Sequence, residues 1–324
     1  MRILSGLQPT GRLHLGNYFG MMQPALQLQH EGDAYYFIAD YHSLTVIHNA
    51  AELRDNVYNL AVDFLACGLD PNKCVFFRQS DVPEHTELSW ILSCVTPMPM
   101  LENCHSYKDK TARGFTPNTG LFTYPVLMAA DILIYDSDIV PVGKDQKQHL
   151  EVTRDIAAKM NATFGEGTLK IPAPRIREET AVVLGTDGQK MSKSYGNTIS
   201  LFEEEKAFLK KIKGLKTDAT PVEDPKPVEG SMILALYRLV TDDATYNEMV
   251  ADFQKGGTGY GDYKKQLFAK LWDFFAEARE RRATILADKN YVEDVLQAGA
   301  QKARAVAQQT VQRVRDAVGL AARK

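Results

Sequence analysis

Apolar positions along the first 185 residues alternate between two periods. Arg2-Ile3-Leu4 opens as a short strand and runs into a glycine-bearing turn. Ala34-Tyr35-Tyr36-Phe37-Ile38-Ala39 is a continuous apolar run, the pattern of a parallel strand covered on both faces. Leu53, Val57, Leu60, Ala61 and Phe64 then recur at helical spacing, and Gly68 stops that helix. Val75-Phe76-Phe77 predicts the next strand. Ile139-Val140-Pro141-Val142, closed by Gly143, predicts another, with a helix from about Asp145 to Phe164 behind it. Strands alternating with helices predict an α/β fold: a Rossmann-like, doubly wound parallel sheet whose ligands lie beyond the carboxyl ends of the strands.

The pattern changes near residue 186. The segment TDGQKMSKSYGNT is polar and glycine-bearing, which predicts a mobile loop. Pro221, Pro225 and Pro227 mark a connector, and the rest is helical. Leu267, Leu271, Phe274, Ala278 and Ile285 form one stripe; Ala303, Ala307, Val311, Val314 and Val318 form the last. The expected organisation is a Rossmann-like domain over 1–186, a lysine loop over 187–196, a second, smaller all-helical domain over 197–290, and C-terminal helices over 291–324, the last packing back on the first domain.

Composition narrows the partners. The chain has 324 residues, 44% apolar and 24% charged, and no apolar run near the ~20 residues that span a bilayer. The opening MRILSGLQPTG has one basic residue and no long apolar stretch, so the expected location is the cytoplasm, with no membrane partner. Cys67, Cys74, Cys94 and Cys104 form no CxxC pair, which favours reduced thiols and no metal site. A net charge of −3 argues against DNA or non-specific RNA binding over the whole surface. Two basic clusters stand out: Lys206, Lys210, Lys211, Lys213 and Lys216, and a tail with Lys302, Arg304, Arg313, Arg315, Arg323 and Lys324. Both read first as solvated helix faces.

Three strings carry chemistry. Ser5-Gly6-Leu7-Gln8-Pro9-Thr10-Gly11, then His14-Leu15-Gly16-Asn17, lies between the first strand and the first helix. A helix N-terminus there offers backbone N–H groups to a phosphate, Gly16 lets a nucleotide approach, and His14 and Asn17 add donors. Lys190-Met191-Ser192-Lys193-Ser194 sets two lysines three apart on a loop, where their charge meets a leaving pyrophosphate. Third, Asp131 sits inside the apolar Leu127-Met128-Ala129-Ala130-Asp131-Ile132-Leu133-Ile134-Tyr135, where an unpaired carboxylate costs several kcal/mol, roughly. By residue type its ordinary partner is a helix N-terminus or a buried arginine. An indole, one N–H donor with no acceptor, is a second answer.

The first two strings together resemble the signature pair of the class I aminoacyl-tRNA synthetases. The third string, with Asp40-Tyr41-His42, Thr123-Tyr124-Pro125 and Val142-Gly143-Lys144-Asp145-Gln146, resembles the bacterial tryptophanyl-tRNA synthetase family over most of residues 1–200. The resemblance implies ATP-dependent activation of L-tryptophan and its transfer to tRNA(Trp), with Mg²⁺, in a homodimer. His14, Asn17, Lys110, Lys190 and Lys193 would be catalytic. ATP would be held by Gln8, Pro9, Thr10, Gly16, Asn17, Gly143, Lys144, Asp145, Val182, Val183 and the loop residues Lys190, Met191, Ser192, Lys193 and Ser194. Tryptophan would be held by Asp131, Met128, Tyr124, Gln146, His42, Leu4 and Val142. Trp90, Ile91, Met98, Met100 and Leu101 would supply the dimer interface. The helical part would read the anticodon, with Lys211, Lys213 or the basic tail as candidate contacts.

This chain departs from the family at three places. Leu4 stands where some relatives carry an aromatic residue, Lys144 where an acid is common, and Asn17 where the general motif has a second histidine. Competing readings are a tyrosyl-tRNA synthetase, a non-charging RNA-binding paralogue, and a small nucleotidyltransferase. A phenol both donates and accepts, so a tyrosine pocket needs a Tyr–Asp pair; the Met-Ala-Ala-Asp string argues against it.

Overall fold

The computed structural model describes residues 1–9, 11–104, 108, 118–142, 147–176, 182–288 and 290–321. Five parallel strands form the sheet: β1 (Arg2–Leu7), β2 (Asp33–Ile38), β3 (Cys74–Arg78), β4 (Ile139–Val142) and β5 (Ala173–Ile176), in the order β3-β2-β1-β4-β5. The chain winds outward from β1 to β3, then returns to the other side of β1, leaving a switch point between β1 and β4. Ligands of open α/β sheets bind at such a crevice. The patterning places β1 to β4 correctly. It does not reveal β5, because Pro174 cannot donate to a ladder; the strand is at the sheet edge, where proline is tolerated.

Helices cover both faces. One face buries a helical run over 15–27 (α1) and α2 (Ala50–Ala66), whose Val57, Leu60, Ala61 and Phe64 point inward as their spacing predicts. The other face buries α3 (Glu84–Ser93), α4 (Thr119–Leu133) and α5 (Lys147–Phe164). The longer helices that follow are α6 (Glu205–Lys213), α7 (Met232–Arg238), α8 (Asp243–Lys255), α9 (Tyr260–Phe274), α10 (Ala276–Ala287) and α11 (Tyr291–Val318). The predicted stripe needs one correction: the helix breaks at Phe275, which is buried, and Phe274 is exposed. Among the described residues no helix is long and apolar enough to cross a membrane.

The last helix lies on the sheet. Ala303, Ala307, Val311 and Val314 of α11 are buried in the core that contains Phe77 and Leu88. Gly299 touches the backbone of β3: an added Cβ would sit 1.8 Å from the Phe76 carbonyl oxygen. Gly299→Ala is therefore expected to destabilise the protein by roughly 3 kcal/mol, as overpacking against an unyielding strand does. A urea midpoint equal to the parent's would show that helix and strand are not in contact.

Ion pairs fix α11 further, and they correct the reading of its arginines as solvated, whereas Lys302 is exposed as that reading expects. Arg304 reaches the fully buried Glu84 at 3.0 Å, Arg313 pairs with Asp136 at 2.6 Å, and Arg315 pairs with Glu87 at 2.5 Å. These arginines tie the last helix to α3 and to the turn after α4. In the other cluster Lys211 pairs with Glu203 and donates to Thr198 O, whereas Lys206, Lys210, Lys213 and Lys216 are exposed.

Candidate active site

A cavity of about 430 Å³ opens at the carboxyl ends of β1 and β4, the size of a small-ligand site. Its walls are mainly apolar, with Leu4, Phe37, Met128, Ile132 and Val142 among them; Asp131, His42, Tyr124 and His149 supply its ionisable and hydroxyl groups, and Gln8 lies at its edge. Asp131 is 1% exposed and sits in the last turn of α4. A helix C-terminus repels a carboxylate, so that helix gives it no support.

The partners of Asp131 are neither the helix N-terminus nor the arginine expected from residue type. Its Oδ1 accepts from Gln79 Nε2 at 2.7 Å and His85 Nδ1 at 2.6 Å; its Oδ2 accepts from His42 Nε2 at 2.8 Å. Burial pushes the carboxyl up, but the hydrogen bonds from His42 and His85 outweigh it and hold Asp131 below the usual carboxylate range. The supports are themselves fixed. Gln79 Oε1 accepts from Tyr41 N, which orients the amide so that its NH₂ faces Asp131. Asp40 accepts from the backbone N–H of Ser80 at 3.0 Å and so ties the ends of β2 and β3 together. Tyr124 and His149 make their own pair, hydroxyl to Nε2, across the cavity wall.

The two signature strings meet beside this cavity. His14 and Asn17 cap the helix reciprocally: Asn17 N donates to His14 Nδ1, and His14 N donates to Asn17 Oδ1, both at 3.2 Å. His14 Nδ1 is thus an acceptor, so the ring hydrogen is on Nε2. Burial, helped by the Lys193 charge, pushes His14 down to about 4, so it is uncharged at neutral pH. The helix end does not offer the free N–H groups expected of it. Leu15 N donates to Ile199 O, and Gly16 N contacts Met191 Sδ at 3.4 Å. The flank of the lysine loop occupies that place, through a bridge between His14 and Ser200. Gly16 makes room for the His14 ring and Met191 rather than visibly for a nucleotide.

The loop has internal order. Leu184 bridges Lys190, and Met191 N donates to Val183 O at 2.8 Å. Asn197, 2% exposed, accepts from Ser192 N and donates to Asp187 and to Lys190 O. Gly185 is bare because any side chain there would meet Asn197 at 2.3 Å. Lys193 Nζ lies 3.6 Å from where a Gly11 Cβ would be, so the second loop lysine stands over the first turn.

Of the residues named from sequence, Leu4, Gln8, His42, Tyr124, Met128, Asp131 and Val142 line the one cavity, and His14, Gly16, Asn17, Met191 and Lys193 converge at the turn. Ser192 and Ser194 hydrogen-bond each other; Val183 is buried and Val182 exposed. Pro9 is buried and Lys190 exposed at the loop. Thr10, Lys110, Gly143, Lys144, Asp145 and Gln146 lie outside the described residues. Gln79, His85, His149 and Asn197 were not singled out, because a buried polar side chain without a motif has no periodic signature. Of the residues expected at a dimer interface, Ile91 and Leu101 are buried in this chain's own core, while Trp90 and Met98 are 73% and 59% exposed.

A doubly wound sheet whose switch point gathers a His-Leu-Gly-Asn turn and a Lys-Met-Ser-Lys-Ser loop defines a class I aminoacyl-tRNA synthetase. Residues 1–276 match the family model described as tRNA synthetases class I (W and Y), and the chain belongs to that family. It is 52% identical to the tryptophan–tRNA ligase of Fusobacterium nucleatum over 98% of both chains, and 50% identical to that of Rhodopirellula baltica over 99% of this chain and 100% of the other. The tryptophanyl-tRNA synthetase of Campylobacter jejuni, crystallised with ADP and tryptophan, superposes with a TM-score of 0.94 at 48% identity, covering 99% of this chain and 100% of that one.

The loop lysines are the residues expected to meet the leaving pyrophosphate. Asn197→Ala removes the side chain that fixes both ends of the loop, so amino-acid-dependent ATP–pyrophosphate exchange is expected to fall about 10–100-fold. An unchanged rate would mean that the loop needs no such anchor.

Proposed function

We propose that the protein is a tryptophan–tRNA ligase, which converts L-tryptophan and ATP to the adenylate and pyrophosphate and then charges tRNA(Trp). One observation carries the choice of amino acid. An ionised carboxylate has about four acceptor sites, and three on Asp131 are filled from within the chain. The one left lies in an apolar cavity and suits a ligand with a single donor and no acceptor. Indole is that group. Phenylalanine would leave the site unfilled, and a phenol, which both donates and accepts, would need a second partner beside Asp131.

In the first step the tryptophan carboxylate attacks the α-phosphorus of ATP in line, and pyrophosphate leaves. Leu4, Met128 and Val142 hold the ring, and Tyr124 faces the amino end; Gln146 is assigned to the amino end by family resemblance. Gln8, Pro9, Thr10, Gly16, Gly143, Lys144, Asp145, Val182 and Val183 are the residues proposed to hold ATP. The Nε2–H of His14 and the amide of Asn17 meet phosphate oxygens, and Lys110, Lys190 and Lys193 take up the charge that grows on the pyrophosphate. Mg²⁺ would supply further neutralisation of the triphosphate when bound. In the second step the 2′-OH of the terminal tRNA ribose attacks the mixed anhydride and AMP leaves. Residues 197–290, with Lys206, Lys210 and Lys213 exposed on α6, are the proposed anticodon platform. Trp90 and Met98 mark the proposed homodimer face, and the cytoplasm is the proposed location.

ATP–pyrophosphate exchange with each of the amino acids in turn tests the reading. Tryptophan alone should support exchange; tyrosine doing so instead, or no amino acid doing so, would overturn it.

A further inference from the structure

Behind Asp131 lies a second layer of polar contacts that never reaches the cavity. His85 is fully buried, with its Nδ1 2.6 Å from Asp131 Oδ1 and its Nε2 2.7 Å from the hydroxyl of Tyr135, which is also fully buried. Neither residue lines the cavity. The direction of each bond follows from the inventory of donors. An ionised carboxylate only accepts, so His85 Nδ1 carries a hydrogen. A singly protonated ring then has a bare Nε2, which accepts from the Tyr135 O–H. Burial, with Asp131 close by, pushes the Tyr135 hydroxyl well above its ordinary value, so it keeps that hydrogen. The chain of donation runs Tyr135 to His85 to Asp131.

The count of acceptor sites gives this chain a purpose. Gln79 and His85 together saturate Oδ1, and His42 takes one site on Oδ2. Had His85 its other tautomer, a bare Nδ1 would face Oδ1, and the acid would be driven to take up a proton and become a donor itself. That proton would lie on Oδ1 against the bare Nδ1, leaving Oδ2 the weaker acceptor of a neutral acid for the indole N–H, and the pocket would lose much of its preference for tryptophan.

Resting on the reading of this cavity as a tryptophan site, we propose that Tyr135 and His85 are positioning residues for amino-acid choice. Tyr135 locks His85 as an Nδ1–H donor, and this lock keeps Asp131 ionised, so that its open site on Oδ2 accepts the ring N–H with a full carboxylate's strength. Both act through Asp131 and touch no substrate.

The test compares tryptophan with 3-(benzothiophen-3-yl)alanine, which has sulfur in place of the ring N–H and nearly the same shape. For Tyr135→Phe the KM for tryptophan in ATP–pyrophosphate exchange is expected to rise about tenfold with kcat within about twofold. The analogue's kcat/KM should stay near the parent's, so the preference for tryptophan falls by about the same tenfold. A loose or damaged core would lower both substrates alike, and that outcome overturns the proposal, as does an unchanged preference. His85→Asn keeps an amide N–H close to the place of Nδ1 and has no tautomer to lock. Combined with Tyr135→Phe it should restore the preference to within about threefold of the parent, whereas His85→Leu should not. A readout on the unaltered protein covers variants that fail to fold: imidazole ¹⁵N spectra should report His85 as the neutral Nδ1–H form, and an Nε2–H or doubly protonated ring overturns the lock. If the parent activates some other amino acid, the function reading fails; if it activates tryptophan and Tyr135→Phe keeps the preference, only the lock fails.

Discussion

Lys193→Ala is expected to slow tryptophan-dependent ATP–pyrophosphate exchange by about 10²–10³-fold, the usual effect of removing one group that stabilises charge grown in the transition state. The geometry supports so large an effect. Lys193 stands over Gly11 and next to His14, close enough for its charge to help push the imidazole down to about 4. The same ammonium is one reason that His14 stays neutral and donates from Nε2, besides the proposed role as a counter-charge to phosphate. Tryptophan affinity, measured without ATP, should be within about twofold of the parent, because the lysine is not among the residues that line the cavity. An exchange rate within a few-fold of the parent's would take the lysine out of the mechanism.

Asp131→Asn should lower kcat/KM for tryptophan by roughly 10²–10⁴, the range lost when a site built to pair a buried polar group loses that pairing. Asparagine is close in shape but wrong in chemistry. His42 and His85 each point a donor at this position, and an amide has one oxygen to meet them; its NH₂ must face a donor. The variant should also unfold more readily, because partners of a buried charge are left unpaired, at about 3 kcal/mol or more. The KM for ATP should barely move. A variant that still chose tryptophan over phenylalanine as the parent does would detach Asp131 from the choice of amino acid.

Much of this was legible because the chemistry lies in contiguous strings. Strands β1 to β4 appear as apolar runs, and the turn after β1 and the lysine loop each carry their groups within a few residues. Asp131 announced itself by being ionisable in an apolar helix. Its partners did not. Gln79 and His85 sit 52 and 46 residues away in sequence, and only the crossing of β3 and α3 over α4 brings them in. β5 was hidden by Pro174, which speaks against a strand unless one knows it is at the edge. The tail arginines illustrate the opposite failure: a run of positive charge looks the same in sequence whether it faces solvent or buried acids such as Glu84. Phe274 and Phe275 are adjacent, and the pattern cannot say which one the break between α9 and α10 turns inward.

The contact between Arg304 and Glu84 joins residues 220 positions apart. At ribosomal speeds of about 5–20 residues per second, roughly 11–44 s pass between the synthesis of one and of the other. Throughout that interval the β3 side of the nascent sheet has no lid, and Glu84 has no guanidinium. Native closure thus waits on late translation, a long-range pairing of the kind that slows folding and invites association between unfinished chains. A stop codon near residue 290 would forfeit that closure, yielding a polypeptide with every signature string intact and a greasy flank exposed to chaperones.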